Sequence, residues 1–376
     1  MTTTAELVDW AAWTASSSYS LGIEEEVMLL RPPALGFAQE ADAIHAVLPV
    51  ALAAHASTET HNAALELSTG AHATATAAAA ELQHLRGELH GVLRADGLAV
   101  AVSGTHPWAT WQDVEISSGP RYAEVYRTMR ELARREPTFA QHVHVGVSDP
   151  EEAVALLRAL RAHLPLLLAL SANSPFWRGQ DSGMASARSS IFRMFPRVGI
   201  PRRFGSYSEY VEAVDLLIRC GAVPEPTFLW WDVRLQPRLG TVEVRIMDAQ
   251  SSLWQTAALA ALVQSLVHLE LEAGPPTDLE PSPEILDENV FLAARDGLDA
   301  RLLDPVTESQ VPIGPLIEAL LDRLADHGQE LGCTAELDGV HELARRGGGA
   351  GMQRAVVAEQ GSEALLPALV AAFTAG

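Results

Sequence analysis

The sequence predicts an α+β domain built on an antiparallel or mixed sheet. Strand-like stretches are confined to about residues 20–250, and the helices between them are unequal in length. The remainder, 252–376, reads as mostly helical. No internal repeat is visible, and 376 residues can bury one large core, so a single domain over 1–376 is expected.

The first strand organises the chain. Gly22-Ile23-Glu24-Glu25-Glu26-Val27-Met28-Leu29-Leu30 places three carboxylates ahead of an apolar run. Side chains on a strand alternate between faces, so Glu24 and Glu26 share one face and Glu25 joins Ile23 and Val27 on the other. Two carboxylates about 7 Å apart along one face repel unless a cation or a proton lies between them. Arg31-Pro32-Pro33 ends the strand.

Residues 40–55 read as a short helix and 57–69 as one strand ending at Gly70. On that strand Glu59 and Glu66 carry the chemistry, since Glu66 turns away from Leu65 and Leu67 and an unpaired buried carboxylate is costly. The alanine-rich 71–95 is helical by propensity. A short strand is expected at 98–103 and a helix at 120–135. In the strand 141–147, His142 and His144 share one face, a spacing that metals use and that core histidines share.

The apolar stretch at 150–171 reads as one buried helix, because Arg158, Arg161 and His163 interrupt it. An irregular loop with six arginines follows at 172–205; its mixture of aromatic residues, hydroxyls, Arg178, Arg188 and Arg193 suits a substrate-gripping lid. A helix at 206–220 leads to strands at 228–234 and 240–247. There Glu243 and Arg245 share a face, and Arg234 and Arg238 add cations nearby. A helix at 252–272, a Pro-rich loop at 274–283 and a helical remainder broken by the Gly-rich 347–351 complete the chain.

Composition narrows the function. The net charge of −22 opposes binding to nucleic acid or an anionic membrane. All 26 basic residues are arginine, which excludes a Schiff-base lysine and a P-loop lysine. Cys220 and Cys333 are too few for a disulfide framework or a Cys-rich zinc site. Glu6 and Asp9 stand where a signal peptide would be apolar, so a cytoplasmic protein is expected. Carboxylates with one or two histidines suit Mg²⁺ or Mn²⁺, and nearby arginines suit the phosphates of a nucleotide.

The strings GIEEE, ETHNAALELSTG, SGTHPW, QHVHVG, LSANSPFWRGQDSGMASARS and WDVRLQPRLGTVEVRIMDAQ resemble, in order and spacing, the carboxylate-amine ligases of the glutamate-cysteine ligase type 2 family, over about 20–265. The resemblance implies a glutamine-synthetase-like catalytic fold with a curved, mostly antiparallel sheet and flanking helices. It implies an ATP- and Mg²⁺-dependent (or Mn²⁺-dependent) ligase. Such an enzyme phosphorylates a carboxylate, typically the glutamate γ-carboxylate, and joins it to an amine, typically that of cysteine.

It further implies a homodimer with small-molecule substrates. Carried over by motif, Glu24, Glu26, Glu59, Glu66, His144 and Glu243 would be metal ligands, with His144 also near phosphate. Arg245, Arg234 and Arg188 would be catalytic, and Arg245 and Arg234 would also contact the nucleotide. The chain departs from the family pattern at Met184, Ala187, Gly351 and Met352, which bears on specificity. Two other readings use the same residues: a metal-dependent amide hydrolase, and a non-catalytic binder of an amino acid or nucleotide.

Overall fold

A computed structural model describes residues 8–135, 137–274 and 281–375. Its centre is an eight-stranded sheet. In chain order the strands are β1 (Leu21–Arg31), β2 (Gly36–Phe37), β3 (Ala56–Thr58), β4 (Ala64–Ser68), β5 (Ala99–Ala101), β6 (Gln141–Gly146), β7 (Val233–Gln236) and β8 (Thr241–Val244). The spatial order is β7-β8-β6-β1-β4-β3, with β2 and β5 also paired to β1, and every pairing is antiparallel.

Strand β1 is long enough for neighbours to share both of its edges. Its first half pairs with β6 and its second half with β5 along one edge, while β4 and then β2 occupy the other. Register fixes the faces. Glu24 lies opposite His142 and Ser68, Glu26 opposite Glu66, His144 opposite Glu243, and Glu243 opposite Arg234. Directly opposed residues share a face, so these groups gather on one side.

The other side carries Ile23, Val27, Leu65, Leu67, Val143, Val145, Val242 and Val244, each at most 1% exposed. Helices Ala75–Ala95 and Leu253–Ala273 pack behind it. The latter is buried almost all round from Leu253 to His268, as expected of a helix enclosed by others. Glu25 points into this layer and is held by Arg86, whose Nε donates to Oε2 at 2.8 Å and whose Nη2 donates to Oε1. Thr256 Oγ1 also donates to Glu25, at 3.2 Å.

Several boundaries differ from the sequence expectation. The strand expected at 57–69 is two strands joined by a turn, because Ser57 and Thr58 pair back on Glu66 and Leu65. The helix expected at 150–171 is two, Pro150–Leu160 and Leu164–Ser171, bent by 65°. No single helix among the described residues is long and apolar enough to cross a membrane; this bent pair passes by length and composition, and its second helix is wholly buried. The helix at 120–135 gives way after Met129 to a 3-10 turn, and the strand expected at 240–247 stops at Val244.

The segment 172–205 is irregular over most of its length but not throughout. It holds the helix Ala187–Phe192 and short paired strands at 176–177 and 180–181. The C-terminal part adds a hairpin, Arg301–Asp304 with Ser309–Pro312, to the expected helices. The Gly-rich 347–351 does break the helical remainder, between Thr334–Arg345 and Gly348–Gln360, at Gly347 with its left-handed φ of 81°, and the rest of the stretch opens the second helix. Most of the Pro-rich loop expected at 274–283 lies outside the described residues.

Candidate active site

The polar face of the sheet forms the floor of one cleft. Glu24, Glu26, Glu66, His142, Arg234 and Glu243 come from its strands. Glu59 enters from the turn after β3, Arg245 from just beyond β8, and Arg188 from the helix Ala187–Phe192. These elements have independent reasons to be where they are. Ser186 caps the helix by accepting from Ser189 N, and its Oγ donates to the buried Asp248 at 2.8 Å. Asp248 also accepts from Asn173 N (2.8 Å) and Ser174 Oγ (2.7 Å), which fixes the start of the segment to the sheet.

Two ligand groups share His142. Glu24, His142 and Glu243 form one, and Glu26, Glu66 and His142 the other; in each, the ligating atoms lie within 4.8 Å of one another. His142 Nδ1 donates to Glu24 Oε2 at 3.0 Å and lies 3.9 Å from Glu66 Oε2, while its Nε2 lies 4.0 Å from Glu26 Oε1. Glu26 accepts from Ala140 N at 2.7 Å, Glu66 from Ser57 Oγ at 3.3 Å and Glu59 from Thr60 N at 3.2 Å.

The electrostatics divide the carboxylates in two. Burial, and then repulsion from Glu59, pushes Glu26 up to about 8. Burial and the charges of Glu24, Glu59 and Glu26 hold Glu66 well above the usual carboxylate range. Burial also raises Glu59. For Glu24 burial is outweighed by His144 and His142, and the carboxyl falls well below its usual range. For Glu243 burial is outweighed by Arg234 and Arg245, again with a large fall. Burial and Arg245 lower His142 to about 4, which leaves it neutral and able to ligate.

This donor set fits a hard divalent cation. Glu26, Glu59 and Glu66 repel one another on a buried face, and oxygen-rich carboxylate clusters with one imidazole suit Mg²⁺ or Mn²⁺. The cleft also fits an anion: Arg245 Nε and Arg188 Nε are both buried without a hydrogen-bond partner. The cations of Arg245 and Arg188 therefore stand beside the carboxylate cluster.

Residues 20–368 match the family described as glutamate-cysteine ligase family 2. A Rubrobacter xylanophilus protein named "Putative glutamate--cysteine ligase 2-1" is 40% identical over 349 residues, 92% of each chain. The chain belongs to that family. A Sorangium cellulosum protein named "Putative glutamate--cysteine ligase 2" is 40% identical over 303 residues, 80% of each.

Two solved structures carry the fold. The glutamate–cysteine ligase of Francisella tularensis in complex with AMP superposes with a TM-score of 0.71 at 13% identity, over 97% of this chain and 91% of that one. A bifunctional glutathione synthetase from Pasteurella multocida superposes with a TM-score of 0.66 at 14% identity, over 95% of this chain and 52% of that one. The fold is the glutamine-synthetase-like one expected, and the match extends through the C-terminal helices that the motifs did not reach.

Within this glutamate-cysteine ligase family chain, eight of the nine expected site residues line the cleft and His144 does not. His144 stands on the same face but is buried among its neighbours, Nε2 3.1 Å from Glu24 Oε1 and Nδ1 3.1 Å from Thr241 Oγ1. His142 holds the position expected of it, because β1 pairs it directly opposite Glu24. The alternation of the H-x-H stretch shows that both rings share a face, but only the register shows which one reaches the cleft.

Arg234 lines the cleft, yet its guanidinium is saturated by Glu243 and by the carbonyls of Thr227 and Leu229. Arg238 is exposed at the β7–β8 turn, away from the site, because Pro237-Arg238-Leu239 rounds the hairpin. Of the expected lid arginines only Arg188 reaches the cleft, and it is anchored to the carbonyls of Ile246 (3.0 Å) and Arg245 (3.3 Å). Most of 171–191 is buried as a fixed wall, with exposed tips at 178–181 and at Gly183. Arg121, Phe192, Phe195, Thr227, Trp230 and Gln236 also line the cleft; Gln236 shares the face of Arg234 by strand alternation, whereas no spacing in the sequence joins the other five to the strand motifs.

Proposed function

We propose that this chain is an ATP-dependent carboxylate–amine ligase that activates a carboxylate, of which the glutamate γ-carboxylate is the leading candidate, and condenses it with an amino compound. The observation that carries the reading is a carboxylate and histidine floor in a cleft that Arg245 and Arg188 also line. Family membership and the names of the relatives support it.

Glu24, Glu26, Glu59, Glu66, Glu243 and His142 would hold Mg²⁺ or Mn²⁺, which when bound supplies charge neutralisation for phosphoryl transfer. The substrate carboxylate oxygen attacks the γ-phosphorus of ATP, and the bond from that phosphorus to ADP breaks. The amine nitrogen then attacks the acyl carbon, the carbon–oxygen bond to phosphate breaks, and one amine proton leaves with the phosphate. No protein nucleophile is needed. Arg245 and Arg188 present donors to the anionic side of this reaction, and Glu243 is held rigid by Arg234 and Gln236. The buried wall excludes water that would hydrolyse an acyl phosphate.

The test is ADP and phosphate release from purified protein supplied with ATP, Mg²⁺ and panels of amino acids and amines, with mass spectrometry of the product. Release that requires both organic substrates, together with a condensed amide, supports the ligase. Amide cleavage without ATP would replace it with the hydrolase.

A further inference from the structure

Away from the cleft, the helices Leu253–Ala273 and Ile313–Glu330 meet at a second cluster of ligating side chains. His268 and Glu272 are one turn apart on the first helix and so share a face. His327 and Glu330 are three residues apart on the second. The two Nδ1 atoms of His268 and His327 are 2.8 Å apart. Glu272 Oε2 lies 3.4 Å from His327 Nδ1, and Glu330 Oε2 lies 3.7 Å from His268 Nε2. His268, Glu272 and His327 offer ligating atoms that all lie within 4.8 Å of one another.

The surroundings orient this pair. His268 closes the buried run of its helix and is only 7% exposed, while the Tyr19 ring meets it edge-on at 4.4 Å between centroids. A single imidazole–imidazole hydrogen bond satisfies one nitrogen of each ring and makes no use of two carboxylates beside them. Two imidazoles and one carboxylate on converging helices are a nitrogen-rich donor set, softer than the oxygen-rich floor of the cleft.

We infer that His268, His327 and Glu272 form a site for a Zn²⁺-class transition-metal ion, distinct from the carboxylate cluster. Such an ion clips the helix behind the sheet to the helix Ile313–Glu330, a stabilising rather than a reactive role. The inference does not rest on the ligase reading.

Chelator-stripped protein, kept in saturating Mg²⁺ to fill the oxygen-rich cleft, is titrated with Zn²⁺ by calorimetry and with Co²⁺ by visible absorption. The expected result is one Zn²⁺ per chain at this site, with a rise in Tm and Co²⁺ bands characteristic of nitrogen ligation. Affinity should fall at least about tenfold in His327→Ala and in Glu272→Gln, and the Zn²⁺-dependent rise in Tm should disappear in both. Glu272 is 51% exposed, so Glu272→Gln keeps the metal-free fold if His327→Ala does not. A Glu24→Gln/Glu66→Gln chain should bind Zn²⁺ at the helical site as the wild type does. Wild-type Zn²⁺ affinity in both helix variants, or loss of all Zn²⁺ uptake in the cleft double variant, overturns the site.

Discussion

Arg234 grips Glu243 with two nitrogens of its guanidinium, Nε to Oε2 at 3.0 Å and Nη2 to Oε1 at 3.2 Å, across the β7–β8 pair. Arg245 bonds to the same carboxylate from the other side. One anion thus sits between two arginines with unequal duties: Arg234 is saturated within the protein, and Arg245 keeps a buried Nε free. Arg245→Lys is expected to reduce turnover roughly a hundredfold, about 3 kcal/mol of transition-state stabilisation, with little change in Tm. Arg234→Met is expected to do the reverse in proportion, destabilising by about 1.5–3 kcal/mol because it removes the two-pronged partner of a buried carboxylate and leaves it to Arg245 and Gln236. Turnover and thermal melts measured on both variants separate the roles, and equal kinetic damage with equal melting would refute the division.

Glu66→Gln removes a carboxyl group that burial and three neighbouring glutamates disfavour. Without divalent cation the variant is expected to melt no lower than the wild type. With millimolar Mg²⁺ the wild type should rise in Tm and the variant should rise less, because a ligand that binds only the native state stabilises it. Differential scanning fluorimetry across an Mg²⁺ series reads both effects. An equal rise in the two chains would remove Glu66 from the metal set.

Behind the sheet, Glu25 and Arg86 form a buried ion pair, 0% and 3% exposed. Arg86→Met is expected to cost about 3–5 kcal/mol of stability, since the carboxylate is left without its counter-ion. The double change Glu25→Met/Arg86→Met should recover much of that loss, as apolar replacements of buried pairs commonly do. Urea denaturation of the three chains decides; a double variant as unstable as the single one would show that the pair contributes more than charge compensation.

Glu270 is held below the usual carboxylate range, first by its hydrogen bond with His163 at 2.8 Å. A carboxylate with a depressed folded pKa contributes stability above its unfolded pKa and loses it as the pH falls through the folded one. The gap in Tm between wild type and Glu270→Gln is therefore expected to be full at pH 7 and to close on the acid side of 4.5, the ordinary value for this group. A gap constant from pH 7 to pH 4 would show that the contact does not depend on charge.

Gly349 has no room for a side chain: a Cβ there would lie 2.3 Å from Asn173 Oδ1. Gln353, one turn on, donates to Asn173 O at 2.8 Å, and Asn173 N donates to the Asp248 that anchors the cleft wall. Gly349→Ala is expected to cost about 1–3 kcal/mol and to lower activity through the wall. An unchanged melting curve would show that Asn173 yields without consequence.

The polar floor was legible because strand alternation is a local property. Glu24, Glu26, Glu243 and Arg245 declare their face through their apolar neighbours. Glu59 was harder: the sequence reads 57–69 as one strand, whereas β3 ends at Thr58 and a turn starts at Glu59, so its place in the cleft is set by the turn and not by alternation. The choice between His142 and His144 depends on pairing with β1, which no local pattern encodes. Arg121, Trp230 and Phe192 arrive from helices and short segments whose approach to the sheet is set by packing, so their spacing in the chain carries no trace of the cleft.

Strand β1 also limits how this protein can vary. Adding or deleting one residue between Gly22 and Met28 would send Glu25 into the cleft and turn Glu24 and Glu26 toward the helices, exchanging the two sides of the molecule at once. Point substitutions can be sampled there one at a time, but a length change has no viable intermediate. The turn at 59–63 is constrained in a different way: Glu59 enters the cleft from it, and His61 and Asn62 tie it to Ala133 and to the start of the helix Ala41–Val47, so length gained there would displace a cleft carboxylate rather than invert a face.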